Sequence, residues 1–475
     1  MKPLLILNIV GLTTDLLGKS TPNLNRLKQK GGSIPIGSMT PAVTCSVQAT
    51  YLTGQLPSQH GIVGNGWYNR NLAEISFWKQ SRHLIQAPLL WDKLKQKSPE
   101  TEIAQLFWWY NMYCGADYSA TPRPMYPADG RKIPDIYTHP AKWREELQEK
   151  YGQFPLFNFW GPTASIKSSQ WIANATIELL QHSEPGYVFV YLPHLDYNLQ
   201  RLGPHHPDIQ KDLLAVDTAA GEIIDAYEDS GYNIMALSEY GITTVDRSIP
   251  INRYLREEGL LAVRTENNRE LLDAGACQAF AVADHQVAHI YINNHHKTQK
   301  IHDLLKRIPG IETILTEKSK KSVGLDHERA GDLVAISDHH SWFNYYYWLH
   351  DSKSPDFATT VDIHRKPGYD PVELFLDPKI RFPLLKLGSK LAKKKLGMRT
   401  LMDVIPLDTG LVKGSHGRPT DQLEQGPVLI SSAPHILPDR DLIPPEGVKD
   451  LILKAGPAAS MDFRRSQSNF LLSQQ

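Results

Sequence analysis

The chain has 475 residues, 41% of them hydrophobic, with 51 basic and 51 acidic side chains. That length leaves room for a large buried core, and the charge balance excludes a protein drawn by its bulk electrostatics to nucleic acid or an anionic membrane. Cys45, Cys114 and Cys277 form no CxxC pair, so neither a disulfide framework nor a thiolate zinc site is expected, and the count suits a cytoplasmic protein.

The N-terminal MKPLLILNIVGL places a lysine before an apolar run, but Asn8 interrupts the run and no small-residue cleavage site follows closely. It reads as a buried first strand, Leu4–Val10. Thr21–Lys30 reads as a helix with proline in its first turn, Leu89–Lys97 as an amphipathic helix, and Ile103–Trp109 as a strand. Trp171–His182 is a further helix, YVFVYL at Tyr187–Leu192 a strongly buried strand, Leu213–Ser230 a long helix and Ile234–Leu237 the next strand. Alternation of this kind predicts an α/β fold, a mostly parallel sheet with helices on both faces, with ligands outside the carboxyl ends of the strands. No run is long and apolar enough for a transmembrane helix.

Two stretches depart from the rhythm. Residues near 120–165 are rich in proline and aromatics and read as a packed insertion; residues near 265–330 carry their own strand and helix signals and read as a lobe. Both are expected over or beside the strand ends. The segment 384–399, LLKLGSKLAKKKLGMR, is a basic amphipathic helix. A solvated face is one reading; contact with a membrane surface or a partner is the other.

Chemistry-bearing residues follow the strands. Thr44 lies in AVTCSVQATYLTG before a helical pattern, where a hydroxyl can cap the helix or act as a nucleophile beside anion-attracting N–H groups. HGIVGN ends in Asn65, which beside glycine suits a turn. Asp196 follows YVFVYL, Glu239 and Tyr240 follow IMAL, and His416 sits between glycines in KGSHGRP. Carboxylates and imidazole are the usual non-thiolate ligands of a divalent metal such as zinc. Two further clusters are candidate ligands or phosphate contacts: Asp338, His339 and His340 in ISDHHSWF, and Asp362, His364 and Asp370 in VDIHRKPGYDP.

AVTCSVQATYLTG with LPSQHGIVGNGWY, LDYNLQRLGP, LSEYGITT and GSHG stand in the order found in the type I phosphodiesterase/nucleotide pyrophosphatase family of the alkaline phosphatase superfamily, which the chain resembles. The resemblance implies a single alkaline-phosphatase-like domain over 1–475 with the two insertions. It also implies hydrolysis of a phosphodiester, pyrophosphate or related small-molecule phosphoester, with Thr44 as nucleophile, Asn65 on the phosphate and one or two zinc ions. It carries over Asp196, Glu239 and His416 as ligands and leaves gaps. Val10 stands where the family's first strand has aspartate, Gln200, a weak oxygen donor, where a histidine is expected, and Tyr240 where the SDHG pattern has histidine. The rival expectation is a degraded member that binds a phosphorylated metabolite or a partner protein.

Overall fold

A computed structural model describes residues 2–398 and 400–457. The sheet at its centre is made of β1 (Leu4–Ile9), β2 (Gly32–Pro35), β3 (Ile103–Leu106), β4 (Tyr118–Pro122), β5 (Ile136–His139), β6 (Tyr187–Leu192), β7 (Asn233–Leu237) and a late strand, Val428–Ser431. Their spatial order is β2, the late strand, β7, β1, β6, β3, β4, β5. β1 runs parallel to both β6 and β7, and β3 continues the parallel set through β4. The late strand and β5 run antiparallel to their neighbours. The central strands are buried along their whole length, which is why LLILNI and YVFVYL read as continuous rather than alternating apolar runs.

Helices α1 (Pro22–Gly31), α4 (Ile166–Leu179), α5 (His194–Leu202) and α6 (Ile209–Asp229) pack against one another, and α2 (Thr44–Thr53) packs with a C-terminal helix, Val448–Ala455. The helix α3 (Leu90–Lys97) precedes β3. β3 stops at Leu106, short of the expected Trp109, because Phe107 turns into the left-handed region (φ 65°) while its N–H bonds the Ala120 carbonyl at 2.8 Å. The stretch near 120–165 differs from a simple insertion. Residues 118–122 and 136–139 are hydrogen-bonded into the edge of the main sheet as β4 and β5.

Residues near 265–330 contribute to a second, four-stranded sheet. Its order is β8 (Ala279–Asp284), β9 (Val287–Ile292), β11 (Leu333–Ser337), β10 (Ile311–Leu315), all antiparallel, over its own apolar cluster. The β8–β9 hairpin closes with the two residues His285 and Gln286. The basic segment forms α7 (Pro383–Lys395). All three cysteines are free and buried.

Candidate active site

Thr44 is the first residue of α2, not its cap. Val43 holds the cap position with extended backbone, and no side chain caps the helix. The Thr44 hydroxyl lies 3.0 Å from the Tyr240 hydroxyl, and Tyr191 also meets it. Register explains the convergence. Asn8 of β1 stands opposite Tyr191 of β6 and Leu237 of β7, so one row of the sheet aims these side chains to one face, and Glu239 follows two residues beyond Leu237.

Glu239 is buried, and its Oε1 accepts from the amides of Asn8 and Gln48. Gln48 is fixed in turn by the backbone N–H of Trp109, which donates to its Oε1 at 2.7 Å. Asp196 lies in the first turn of α5, and Gln200, one turn later on the same face, donates to its Oδ2 at 2.7 Å. Tyr369 donates to the side-chain oxygen Oε1 of Gln200 at 2.9 Å.

The lobe reaches this site through the β8–β9 turn. Asp284 accepts from the backbone and side-chain N–H groups of Asn65 at 2.8 and 3.0 Å, and Asn65 Oδ1 accepts from the Cys45 N–H at 3.0 Å. Asn65 therefore ties the lobe to the first turn of α2. His285 sits at φ 60°, a conformation uncommon outside glycine, and contacts Asp284 at 2.8 Å.

Four rings from four distant segments then stack in series. Tyr240 lies flat on His416 (3.6 Å between centroids, 7° between planes), His416 on His285 (3.7 Å), and His285 on Tyr369 (3.6 Å). His416 is anchored to the Ala42 carbonyl through Nδ1 at 2.8 Å. Trp160, beyond the stretch that supplies β4 and β5, packs on Tyr369 and Tyr197 and donates to Glu373.

Burial governs the charges. It raises the Glu239 carboxyl to about 8 against the amide donors that favour the anion, and the Asp196 carboxyl to about 7 against Gln200 and Tyr240. Asp284 is raised by burial, and His285 and His416 are held neutral by it.

Comparison with known proteins gives the family and the fold. A family model described as type I phosphodiesterase / nucleotide pyrophosphatase matches residues 4–370. The chain belongs to that family. An uncharacterized pyrophosphatase/phosphodiesterase of Schizosaccharomyces pombe is 23% identical over 248 residues, 50% of this chain and 44% of the relative, so the chain spans less than half of that relative's length. Among solved structures, a phosphonoacetate hydrolase of Sinorhizobium meliloti in complex with phosphonoformate superposes with a TM-score of 0.61 at 16% identity, covering 96% of each chain. An inactive form of murine ectonucleotide pyrophosphatase / phosphodiesterase 5, in complex with AMP, gives 0.56 at 13% identity over 96% of this chain and 95% of that one. Both share the α/β fold.

Within this family frame, the side chains do not fit the two-zinc centre that the resemblance implies. Among the described residues, no three His, Cys, Asp or Glu side chains gather as a metal site. Gln200 turns an N–H, not an oxygen, toward Asp196, and two further amides occupy one oxygen of Glu239. The Tyr240 ring lies against the face of His416. Among the described residues, the oxygens around Thr44 on Asp196, Glu239 and Asn8 that lack a partner are Asp196 Oδ1, Glu239 Oε2 and Asn8 Oδ1, a poorer set than the four ligands zinc takes. Asp196, Glu239 and His416, expected as ligands, thus become members of a hydrogen-bonded and stacked network.

The other candidates lie apart from it. Asp338 faces Arg247 at 3.9 Å, and the exposed rings of His339 and His340 lie against each other, tilted by 42°. Asp362 pairs with Arg365, and His364 meets the Phe77 carbonyl. Asp370 instead joins Lys366 and Glu373 in a buried cluster next to Tyr369. The sequence reading passed over Asp284, His285, Asn8 and Gln48. Asn8 left a signal, a buried amide inside an apolar run; the ADHQ turn between two apolar strands left another.

Proposed function

We propose that the chain acts on a small-molecule phosphoester through the Thr44 hydroxyl, with its own phenol, amide and carboxyl groups standing where the family resemblance implies metal ions. The observation that carries this reading is the 3.0 Å contact between the Thr44 and Tyr240 hydroxyls at the start of α2. A helix N-terminus attracts a phosphoryl group through its free N–H groups and dipole. Thr44 Oγ1 attacks phosphorus, the Thr44 O–P bond forms and the bond to the leaving alcohol breaks. The Thr44 proton passes to the Tyr240 oxygen as the phenol proton passes to the Asp196 carboxylate that Tyr240 faces. From there it returns to the leaving oxygen, and water then hydrolyses the phosphothreonine and restores the hydroxyl. Glu239 is held beside Thr44 by Asn8 and Gln48 and orients its hydroxyl.

The test is turnover of a nitrophenyl phosphodiester by the full chain after exhaustive dialysis against EDTA. The wild type is expected to turn over and Thr44→Ala to lose at least about a thousandfold. Equal rates for the two proteins would remove Thr44 from the mechanism. Activity that vanishes with EDTA and returns with zinc would overturn the metal-independent part.

A second reading, binding of a phosphorylated metabolite without turnover, is favoured by one observation: the four stacked rings fill the centre and leave Thr44 buried. It is the outcome if AMP binds to the wild type and no phosphoester is cleaved.

A further inference from the structure

Two lysines tie helix α7 to the segment that follows it, and several of its apolar side chains stand exposed. Lys386 donates to the Asp403 carbonyl at 2.8 Å, Lys390 to the Leu401 carbonyl at 2.6 Å, and both pair with the Asp403 carboxylate. These contacts tie one side of the helix to the segment that follows it. Phe382, Leu385, Ser389, Ala392 and Leu396 are spaced by three and four residues and share one stripe, bordered by Lys386, while exposed Leu391 lies off it. Phe382 is 62% exposed, Leu385 72% and Leu396 78%. Both ends of the stripe are helical in register: the Lys386 N–H bonds the Phe382 carbonyl, and the Leu396 N–H bonds the Ala392 carbonyl, each at 3.0 Å. Met398, 54% exposed, extends the stripe past the helix end, where Gly397 takes φ 78° and the Met398 N–H closes on the Lys393 carbonyl.

A helix on a globular protein ordinarily buries its apolar stripe and solvates its charges. Here the large apolar side chains of one stripe stand in solvent, and the surroundings are basic. Residues 378–398 hold seven Lys or Arg and no Asp or Glu. Lys379, Arg381 and Lys393 are exposed beside the stripe. Among the described residues no helix is long and apolar enough to cross a membrane.

We propose that α7 is a docking surface for an anionic lipid bilayer, lying in the plane of the interface. Phe382, Leu385, Leu396 and Met398 enter the acyl boundary, and Lys379, Arg381 and Lys393 meet the lipid phosphates. The charge pattern selects this occupant. An apolar protein partner has no need of a cationic surround, whereas an anionic bilayer offers apolar depth and negative charge together. Each basic residue held near such a surface strengthens binding roughly fivefold.

The test is co-sedimentation of the full chain with phosphatidylcholine vesicles and with vesicles of phosphatidylcholine and phosphatidylglycerol. Binding is expected to the anionic vesicles, weak to the neutral ones, and decreasing as salt is raised. Leu385→Glu combined with Leu396→Glu should weaken binding by about a hundredfold or more. Arg381→Glu combined with Lys393→Glu should weaken it by at least about twentyfold. All four substitutions are on exposed side chains and leave the Lys386 and Lys390 anchors in place, so melting temperatures should match the wild type. Failure to sediment with anionic vesicles, equal binding by wild type and the leucine double variant, or binding that ignores salt would each overturn the proposal.

Discussion

Replacing Glu239 by glutamine asks directly what charge state this centre holds. Burial lifts the Glu239 carboxyl from 4.5 to about 8, so the native protein keeps a proton there that the unfolded chain has lost. Stability therefore falls as pH rises through the interval between those values, and the penalty is complete only above the native value. Between pH 5 and pH 9 the loss assigned to this one group is about 4 kcal/mol. Glutamine mimics the protonated acid. Its carbonyl oxygen can still accept from Asn8 and Gln48, and its N–H group takes the place of Oε2, which lacks a partner. Glu239→Gln should thus be near neutral at pH 5 and stabilising by about 3–4 kcal/mol at pH 9. The measurement is urea unfolding of both proteins at the two pH values in EDTA. If the variant is destabilised at pH 9, the carboxylate is charged in the native state and a bound counter-ion compensates it, and the reasoning from an amide-capped acid is wrong.

Two further outcomes follow from buried charge. Lys366 bridges Asp370 and Glu373 at 2.7 Å each with all three side chains buried. Lys366→Met leaves two uncompensated carboxyl groups and should cost about 3–5 kcal/mol in urea unfolding at pH 7.5, a loss under about 1 kcal/mol counting against it. His289 takes the Gly331 N–H on Nδ1 and donates from Nε2 to the Val63 carbonyl, and burial lowers it to about 4. Protons bind the unfolded chain first as pH falls from 6.5 toward 4, so native stability drops through that window. His289→Gln should therefore be about 2 kcal/mol less costly at pH 5 than at pH 8, and equal cost at both would exclude His289 as a source of acid sensitivity.

The fold was legible in the sequence wherever period and burial agree. β6 is YVFVYL with the predicted ends, and the row that joins Asn8, Tyr191 and Leu237 follows from parallel pairing of strands that were already visible. Asp196 and Gln200, spaced one helical turn apart, land on one face as the spacing requires. The edge strands within 118–139 escaped because proline-rich flanks disguise short strands, and β4 ends at Pro122 itself. The ring stack was out of reach for another reason. Residues 240, 285, 369 and 416 share no local pattern, and only tertiary packing brings them together. His339 and His340 show the converse, a conspicuous dipeptide whose rings lie against each other at the surface.

The substitutions at the centre compensate one another, and this bears on whether the site has decayed. A metal site that loses ligands at random leaves buried carboxylates without partners, each expensive to keep. Here glutamine faces Asp196, asparagine and glutamine face Glu239, asparagine faces Asp284, and Tyr369 steadies Gln200. Tyr240 both meets the Thr44 hydroxyl and begins the ring stack. One oxygen on Asp196 and one on Glu239 stay open, both in the cluster around Thr44. A network whose donors match its acceptors this closely leaves few carboxyl oxygens bare, and those that stay open are on Asp196 and Glu239. Since each of these amides presents N–H where a metal would require a lone pair, introducing one histidine would not build the two-zinc centre that the resemblance implies; several donors would have to become acceptors together.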